Sequence, residues 1–264
     1  MADSFYVPLG DGRWLATVHT TGPWDSRTQH GGPPSALLGR AMQERERRPD
    51  MMIARFTCEI LRPIPVGEIS VAARVVRPGR SVELLEASAS ADGREVARAS
   101  AWRVLRTGAD PVPARQPGPE GPPEDYPTMR RPRSWADGAL AAIEWRVMRG
   151  GWHGAGPTAV WCRMRYPLVA DEETSPLERL LMTADSGNGV SWEIDMNRWH
   201  FINPELTVHL HREPRGEWIC LDAHTAISPG GAGLATSVLS DTGGPLGTGA
   251  QTLLIAPRPE RPGR

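Results

Sequence analysis

A carboxyl group at the end of an apolar helical segment is the first candidate for chemistry in this sequence. Asp185 ends the run LERLLMTAD, in which apolar residues recur with helical spacing. A carboxylate there faces the negative end of the helix dipole and is partly desolvated, and both effects raise its pKa, as suits a general base. The residues alone favour a simpler interpretation, a solvated Asp at a helix end before Gly187.

Two side-chain amides are the next candidates. Gln251 lies in GTGAQTLLI, whose apolar residues build a core, and a buried Gln must find hydrogen-bond partners. Its simplest role is a structural hydrogen bond. Asn203 precedes Pro204 in FINPEL, and because Asn-Pro commonly starts a turn, Asn203 can equally be a turn residue.

The segment His30-Gly31-Gly32 opens a predicted helix in the first half of the chain. Glycines let a ligand approach the backbone closely, and free N–H groups at a helix start can polarise a carbonyl. The same glycines can instead serve only tight packing. His30 can act as a general base, although a capping or packing role is more common.

The predicted elements place these residues in two similar blocks. HGGPPSALLGRAMQERER predicts a helix near residues 32–46, followed by four strand-like runs with hairpin turns. SPLERLLMTADSG predicts a second helix near 175–187, because Ser175 and Glu178 form a capping box, and strands follow again. A helix followed by antiparallel strands, twice, is an α+β pattern. A long helix wrapped by an antiparallel sheet is the hot-dog fold, so we expect a double hot dog with two tandem units.

A weak internal repeat agrees with two units of one kind. At an offset of 149 positions, without gaps, Trp102 falls on Gln251. A polar residue in one copy opposite an apolar residue in the other predicts one working site per chain. The period is too long for a solenoid and indicates domain duplication. The identities at this offset are Pro65 with Pro214, Gly67 with Gly216, Glu68 with Glu217, Asp92 with Asp241, and Ala101 with Ala250.

A proline-rich segment separates the two blocks. Residues 107–134 contain eight prolines and almost no apolar periodicity, which is typical of an extended linker. We therefore expect an N-terminal hot-dog domain at 1–106, a linker at 107–134 and a C-terminal hot-dog domain at 135–264.

Composition excludes several classes of function. The net charge of −1 gives no basic field for nucleic acid or anionic lipid. All 30 basic residues are Arg, which excludes a Lys Schiff base. Cys58, Cys162 and Cys220 have neither metal spacing nor a disulfide pattern, so we expect buried thiols. A signal-peptide pattern and an apolar run of about 18 residues are both missing, so we expect a cytoplasmic protein without a membrane span.

Four motifs occur in an order that resembles a known family. They are HGG, D-S-x-x-G, N-P-x-L-x-V-x-L-x-R and A-Q-T-L, in the segments HGGPPSALLGRAM, DSGNG, INPELTVHLHREPRGEW and AQTLL. Together they resemble the acyl-CoA thioesterase II group of the double hot-dog superfamily, and most of all its actinobacterial relatives. The resemblance covers nearly all of the chain outside the proline-rich segment. It implies hydrolysis of acyl-CoA, or a related acyl thioester, to free acid and CoA, with no cofactor and no metal.

The resemblance also implies a catalytic trio. The family holds the attacking water with an Asp late on the second helix, a Thr on the next strand and a Gln on the last strand. Carried over by motif, these positions are Asp185, Asn203 and Gln251. Asn203 departs from the family's Thr, although an Asn side chain can still donate to a water and accept from it.

The resemblance implies that His30, Gly31 and Gly32 contact the substrate from the side opposite Asp185. Hot-dog sites lie between two helices, so Gly31 or Gly32 N–H would face the thioester oxygen. Enzymes with HGG often carry a carboxylate nine positions after the His, and here that position is Gly39. The first helix therefore lacks a base, which also predicts one site per chain.

Two alternatives to a thioesterase stay open. A hot-dog enoyl-thioester hydratase or dehydratase would need a paired Asp and His, and no His lies close to Asp185 in the sequence. A non-catalytic acyl-thioester binding protein would keep the acyl tunnel and lose the trio, and Asn203 in place of Thr leaves that reading open. In each case we expect a homodimer or a higher homo-oligomer.

Overall fold

A single antiparallel sheet runs through both halves of the computed structural model, which describes residues 3–108, 117–131 and 137–258. The first half contributes β1 Tyr6–Gly10, β2 Arg13–Ala16, β3 Met51–Ile60, β4 Glu68–Arg77, β5 Val82–Ala91 and β6 Arg94–Leu105. The second contributes β7 Ile143–Arg149, β8 Thr158–Met164, β9 Trp199–Ile202, β10 Glu205–Leu210, β11 Trp218–Ile227, β12 Ala232–Asp241 and β13 Gly244–Pro257. The order is β1-β2-β4-β5-β6-β3-β10-β13-β12-β11-β8-β7, and β9 also pairs with β13. The halves therefore join where β3 pairs with β10.

The helices are α1 Gly32–Glu44, α2 Pro176–Ala184 and the short α3 Gly187–Val190. The predicted capping box at Ser175 and Glu178 is present at the start of α2. α1 packs on β4, β5 and β6, whereas α2 and α3 pack on β11 and its neighbours. Each half is thus a helix wrapped by its own strands, which confirms the α+β double hot dog.

The two halves repeat with an offset one residue larger than the sequence predicted. β4 begins at Glu68 and β11 at Trp218, and β5 begins at Val82 and β12 at Ala232, so the structural repeat is 150 positions. The two hairpin bulges, between Ala89 and Ser90 and between Leu239 and Ser240, follow the same offset.

The predicted match of Trp102 with Gln251 is therefore wrong by one residue. Ala101 pairs with Leu85 as Gln251 pairs with Ala235, so Ala101 is the counterpart of Gln251. Both of these side chains are buried, whereas Trp102 is only half-buried and lies on the other face of β6. A slip of one residue moves every side chain of a strand to the opposite face, which explains the error.

Part of the predicted linker packs along the second half of the sheet. Of residues 107–134, the structure leaves 109–116 and 132–134 outside its described ranges. Met129 N–H donates to Trp145 O (2.8 Å), and Val147 N–H donates to Pro127 O (3.0 Å). Residues 127–129 therefore extend the sheet beyond β7.

The three cysteines are buried and free, as the sequence predicted. In the described ranges, no helix has the length and apolar character that crossing a membrane requires.

Candidate active site

Asp185 is the residue directly after α2, and its carboxyl group is almost fully buried, with 3% of the side chain exposed. Asn203 Nδ2 donates to Asp185 Oδ1 at 2.8 Å. Gln251 Nε2 donates to Asp185 O at 3.0 Å and lies 3.3 Å from Oδ1. The structure thus brings together the three side chains that the motifs pointed to, and the two amides hold the carboxyl group itself.

A break in the strand pattern gives Asn203 its position. β9 and β10 together correspond to the single strand β3, which has a bulge between Ile53 and Arg55. At the equivalent point Pro204 interrupts the second-half strand, since proline has no N–H for a ladder. Asn203 therefore lies at a break between β9 and β10, from which its side chain donates to the carboxyl group.

His30 reaches the same carboxyl group from the other half of the chain. Its Nδ1 lies 3.0 Å from Asp185 Oδ2 and accepts from Gly32 N–H at 3.1 Å. Its Nε2 makes no hydrogen bond with the described residues, and His30 lines the cavity. Sequence reasoning missed this pair because its members lie in different halves, and no local pattern signals the contact.

The two glycines after His30 are required by close packing. A Cβ on Gly31 would lie 2.7 Å from Asp185 Oδ2, and a Cβ on Gly32 would collide with Met182 O in α2. The N–H of Gly31 has no acceptor among the described residues, whereas Gly32 N–H is engaged by His30. Gly31 N–H is therefore the free donor that can meet a substrate carbonyl.

Gln251 also fixes the segment that follows Asp185. Its Oε1 accepts from Asn188 N–H at 3.0 Å. A Cβ on Gly187 would come within 2.8 Å of both Gln251 Oε1 and Ser237 Oγ, so a side chain there would displace the amide of Gln251 or the hydroxyl of Ser237. All of these contacts of Gln251 are internal to the protein.

Burial dominates the electrostatics of Asp185. Desolvation raises the pKa of the carboxyl group, while His30 and hydrogen bonds from Asn203, Gln251 and Gly32 offset part of that rise. The result is a carboxyl group with a raised pKa, preorganised by fixed donors.

A cavity of about 490 Å³ opens beside these groups. Gly31, His30, Asn203 and Asp185 lie on its wall. Trp24 and Phe201 make an edge-to-face contact with ring centroids 5.1 Å apart. The apolar part of the wall includes Trp24, Leu140, Trp152, Val190, Met196 and Phe201.

The equivalent place in the first half is small and lacks the polar trio. A cavity of about 110 Å³ lies there, with Ile53 at the position that corresponds to Asn203. Ala101 stands where the second half has Gln251. Within the described residues, no cluster of His, Cys, Asp and Glu is arranged to hold a metal ion.

The chain is a double hot dog with a buried carboxyl group where the end of α2 meets the start of α1. Two family models match the sequence, the acyl-CoA thioesterase N-terminal domain over residues 20–104 and the C-terminal domain over residues 123–255. The chain belongs to this acyl-CoA thioesterase family and is a thioester hydrolase. The family recognised in the sequence is thereby confirmed.

Solved structures share the fold over nearly the whole chain. A putative thioesterase from Novosphingobium aromaticivorans is 22% identical, with a TM-score of 0.69 and coverage of 97% of this chain and 100% of its own. A putative thioesterase II from Thermobifida fusca is 18% identical, with a TM-score of 0.73 and coverage of 96% and 97%. An acyl-CoA thioesterase II from Mycobacterium marinum is 15% identical, with a TM-score of 0.66 and coverage of 98% and 97%. No curated protein matches the sequence.

Proposed function

We propose that this protein hydrolyses an acyl-CoA thioester with Asp185 as the general base. The observation that carries the proposal is that the buried carboxyl group packs against Gly31, whose N–H has no acceptor among the described residues, and that both residues line one cavity. A base with a raised pKa and an unused amide donor are the two groups that hydrolysis of a thioester requires.

In the proposed reaction, the thioester carbonyl lies in the cavity, against the part of its wall that Gly31 and Asp185 share. Asp185 accepts a proton from water as the water oxygen bonds to the carbonyl carbon. Gly31 N–H stabilises the negative charge on the carbonyl oxygen. The C–S bond then breaks, and the departing thiolate takes the proton, which yields free CoA and a carboxylic acid.

Asn203 and Gln251 position the base in this scheme. Both donate to Asp185, and Gln251 has no free polar atom left for water. The Oδ1 of Asn203 makes no hydrogen bond with the described residues and is free to accept from the attacking water. We further propose, from the sequence, that the protein works in the cytoplasm and that it forms a homo-oligomer. Light scattering after gel filtration tests the oligomeric state.

A second candidate activity is hydration of an enoyl thioester. The contact between His30 and Asp185, 3.0 Å apart, supplies the Asp and His pair that such a reaction needs and that the sequence did not reveal. Incubation with an enoyl-CoA separates the two activities, since hydration removes the conjugated absorbance without release of a thiol.

The test of the proposal is release of free thiol from acyl-CoA esters of short to long chain. Asp185→Asn should lower turnover by about 10²-fold or more, because the general base is lost. Asp222→Asn, which neutralises an exposed carboxylate on β11, should retain full turnover. Wild-type protein that binds acyl-CoA esters without releasing thiol would be a binding protein, and full activity of Asp185→Asn would move the base to another residue.

Asp185→Asn should not lower the melting temperature. The pKa of Asp185 is raised in the folded protein, so the folded protein loses stability as the pH rises and the buried carboxyl group ionises. An amide at this position does not ionise and therefore avoids that loss. An Asn at this position can also donate to His30 Nδ1 and accept from Asn203.

A further inference from the structure

The strand that carries Gln251 loses its strand partner on one side, at the point where it meets the active site. β13 pairs with β10 only as far as Ala250 and with β9 only from Leu254 onwards. Residues 251–253 therefore lie opposite the break at Pro204. A backbone N–H that points into such a break needs an acceptor from outside the ladder.

The side chain of Glu205 supplies that acceptor. Thr252 N–H donates to Glu205 Oε1 at 2.6 Å. The carbonyl oxygen of Pro204 is engaged elsewhere, because it accepts from Ile60 N–H of β3 at 2.7 Å. The second carboxyl oxygen of Glu205, Oε2, accepts from Thr207 Oγ1 at 3.0 Å, which holds the side chain in place across the break.

Glu205 also holds the other amide that contacts the base. Asn203 Nδ2 donates to Glu205 O at 3.2 Å as well as to Asp185 Oδ1 at 2.8 Å. Gln251, which donates to Asp185 O, is the chain neighbour of Thr252. Glu205 therefore contacts both segments that hold Asp185, although it does not line the cavity and lies on the outer face of β10.

We propose that Glu205 is a positioning residue of the active site, which keeps the amides of Asn203 and Gln251 against Asp185. This inference rests on the proposed role of Asp185 as the general base. Without the Glu205 side chain, Thr252 N–H loses its acceptor, and the part of β13 opposite the break loses its only hydrogen bond to that side chain. Both amides then hold the carboxyl group less firmly.

Loss of position and loss of charge have opposite effects on Asp185. The two amides lower the pKa of its carboxyl group, so weaker contacts raise that pKa and move the acidic fall of kcat/KM to higher pH. Removal of a nearby negative charge does the reverse, since it favours ionisation. The titratable groups that face Asp185 are His30 ahead of α1 and Cys58 on β3, and every variant below keeps them.

The experiment measures kcat, KM and the pH profile of kcat/KM for three replacements of Glu205. Glu205→Ala should lower kcat about tenfold, leave KM within about threefold of wild type and move the acidic fall to higher pH. Glu205→Asp keeps the charge but withdraws the carboxyl group from Thr252 N–H, so the fall should move in the same direction. Glu205→Gln keeps an acceptor for Thr252 N–H and an amide that can bond to Thr207, so it should stay close to wild type.

Glu59→Ala is the matched control, because Glu59 is exposed and lies opposite Glu205 in the pairing of β3 with β10. It removes the same charge from the same face of the sheet, so kcat should be unchanged and the acidic fall should stay or move to lower pH. The same result for folded Glu205→Ala, or a Gln variant as impaired as the Ala variant, would overturn the positioning role.

Failure of the proposed hydrolysis looks different, since wild-type protein would then release no thiol. In that case carbon NMR of the Asp185 carboxyl group, assigned with the Asp185→Asn variant, still decides. A pKa of Asp185 that does not rise in Glu205→Ala and Glu205→Asp would refute the positioning role without any reference to turnover.

Discussion

At the scale of single residues, the proton between His30 and Asp185 governs the proposed chemistry. Because Nδ1 accepts from Gly32 N–H, its separation of 3.0 Å from Oδ2 requires the proton of this contact to lie on Oδ2. Burial raises the pKa of Asp185, which keeps the carboxyl group protonated to a higher pH than is usual for Asp. The base becomes available only above that pKa, so kcat/KM should fall on the acidic side.

Replacement of Asn203 should move this acidic limb. Asn203→Ala removes a hydrogen bond that lowers the pKa of Asp185, so the acidic limb should shift to higher pH, and the rate at a fixed pH on that limb should fall by up to roughly tenfold. Asn203→Thr restores the family's residue and one possible donor to the carboxyl group, and it should fall between wild type and Ala. The measurement is the pH profile of kcat/KM.

Asn197→Ala is the matched control for that series, since Asn197 is exposed and bonds only within its loop to Asp195. Its profile should overlay the wild-type profile. A profile of Asn203→Ala with an unmoved acidic limb would show that Asn203 does not tune Asp185.

The motifs identified Asp185, Asn203 and Gln251, but the contacts of the carboxyl group could not be predicted from them alone. Asp185 and Gln251 lie in recognisable local segments, and the structure places them in hydrogen-bond contact. His30 meets Asp185 only because α1 and α2 pack closely at Gly32. A contact of that kind depends on the distance between two helices, which no local pattern encodes.

At the scale of elements, the start of α2 carries a buried acid. Glu178 closes the capping box on Ser175 N–H, and burial raises its pKa to about 7. The pKa of Glu178 in the unfolded chain is lower than this. The stabilisation that protonated Glu178 gives the folded protein is therefore fully present below the unfolded-chain pKa and is lost as the pH rises through about 7.

Glu178→Gln should therefore stabilise the protein at about pH 8 and have little effect at about pH 5. Gln can still accept from Ser175 N–H, so the helix cap is retained. The gain is of the order of 1–3 kcal/mol, and urea unfolding of both proteins at the two pH values measures it. Glu44→Gln, on an exposed acid of α1, should show no such pH dependence, and an equal gain at both pH values would contradict the assignment.

The helices were predictable because their ends carry local signals. Pro33 and Pro34 mark the first turn of α1, and the capping box marks the start of α2. The end of the second helix was predicted near 187, whereas α2 stops at Ala184 and α3 begins at Gly187. This interruption follows from tertiary contacts of Asp185 and Gly187 with Gln251, which no local signal reveals.

At the scale of the whole molecule, duplication explains both the fold and the one-residue error in its predicted offset. Four of the five identities between the halves lie in or beside turns, which tolerate a slip of one residue, whereas strand pairing does not. The sequence therefore predicted two units with different sites, but assigned Trp102 in place of Ala101. The pairing of β6 with β5 and of β13 with β12 fixes the offset between the halves at 150 positions.

Because Ala101 is the counterpart of Gln251, exchanging the two residue types tests whether only the second half holds a working site. Gln251→Ala gives the second half the residue of the first, and it removes the donor to Asp185 and the acceptor of Asn188 N–H. Turnover should fall about 10–10²-fold as the base loses its position, and stability should fall by about 1–3 kcal/mol. Ala101→Gln should cost about 1–3 kcal/mol by overpacking the first half, with turnover per folded molecule unchanged.

Thiol release and urea unfolding of both variants separate the two effects, since only one variant should change turnover. Trp102→Gln serves as the control for a substitution on the other face of β6, and it should leave turnover unchanged because the side chain points away from both helices. If folded Ala101→Gln loses turnover while Gln251→Ala keeps it, the working site lies in the first half, and Asp185 is a structural carboxyl group.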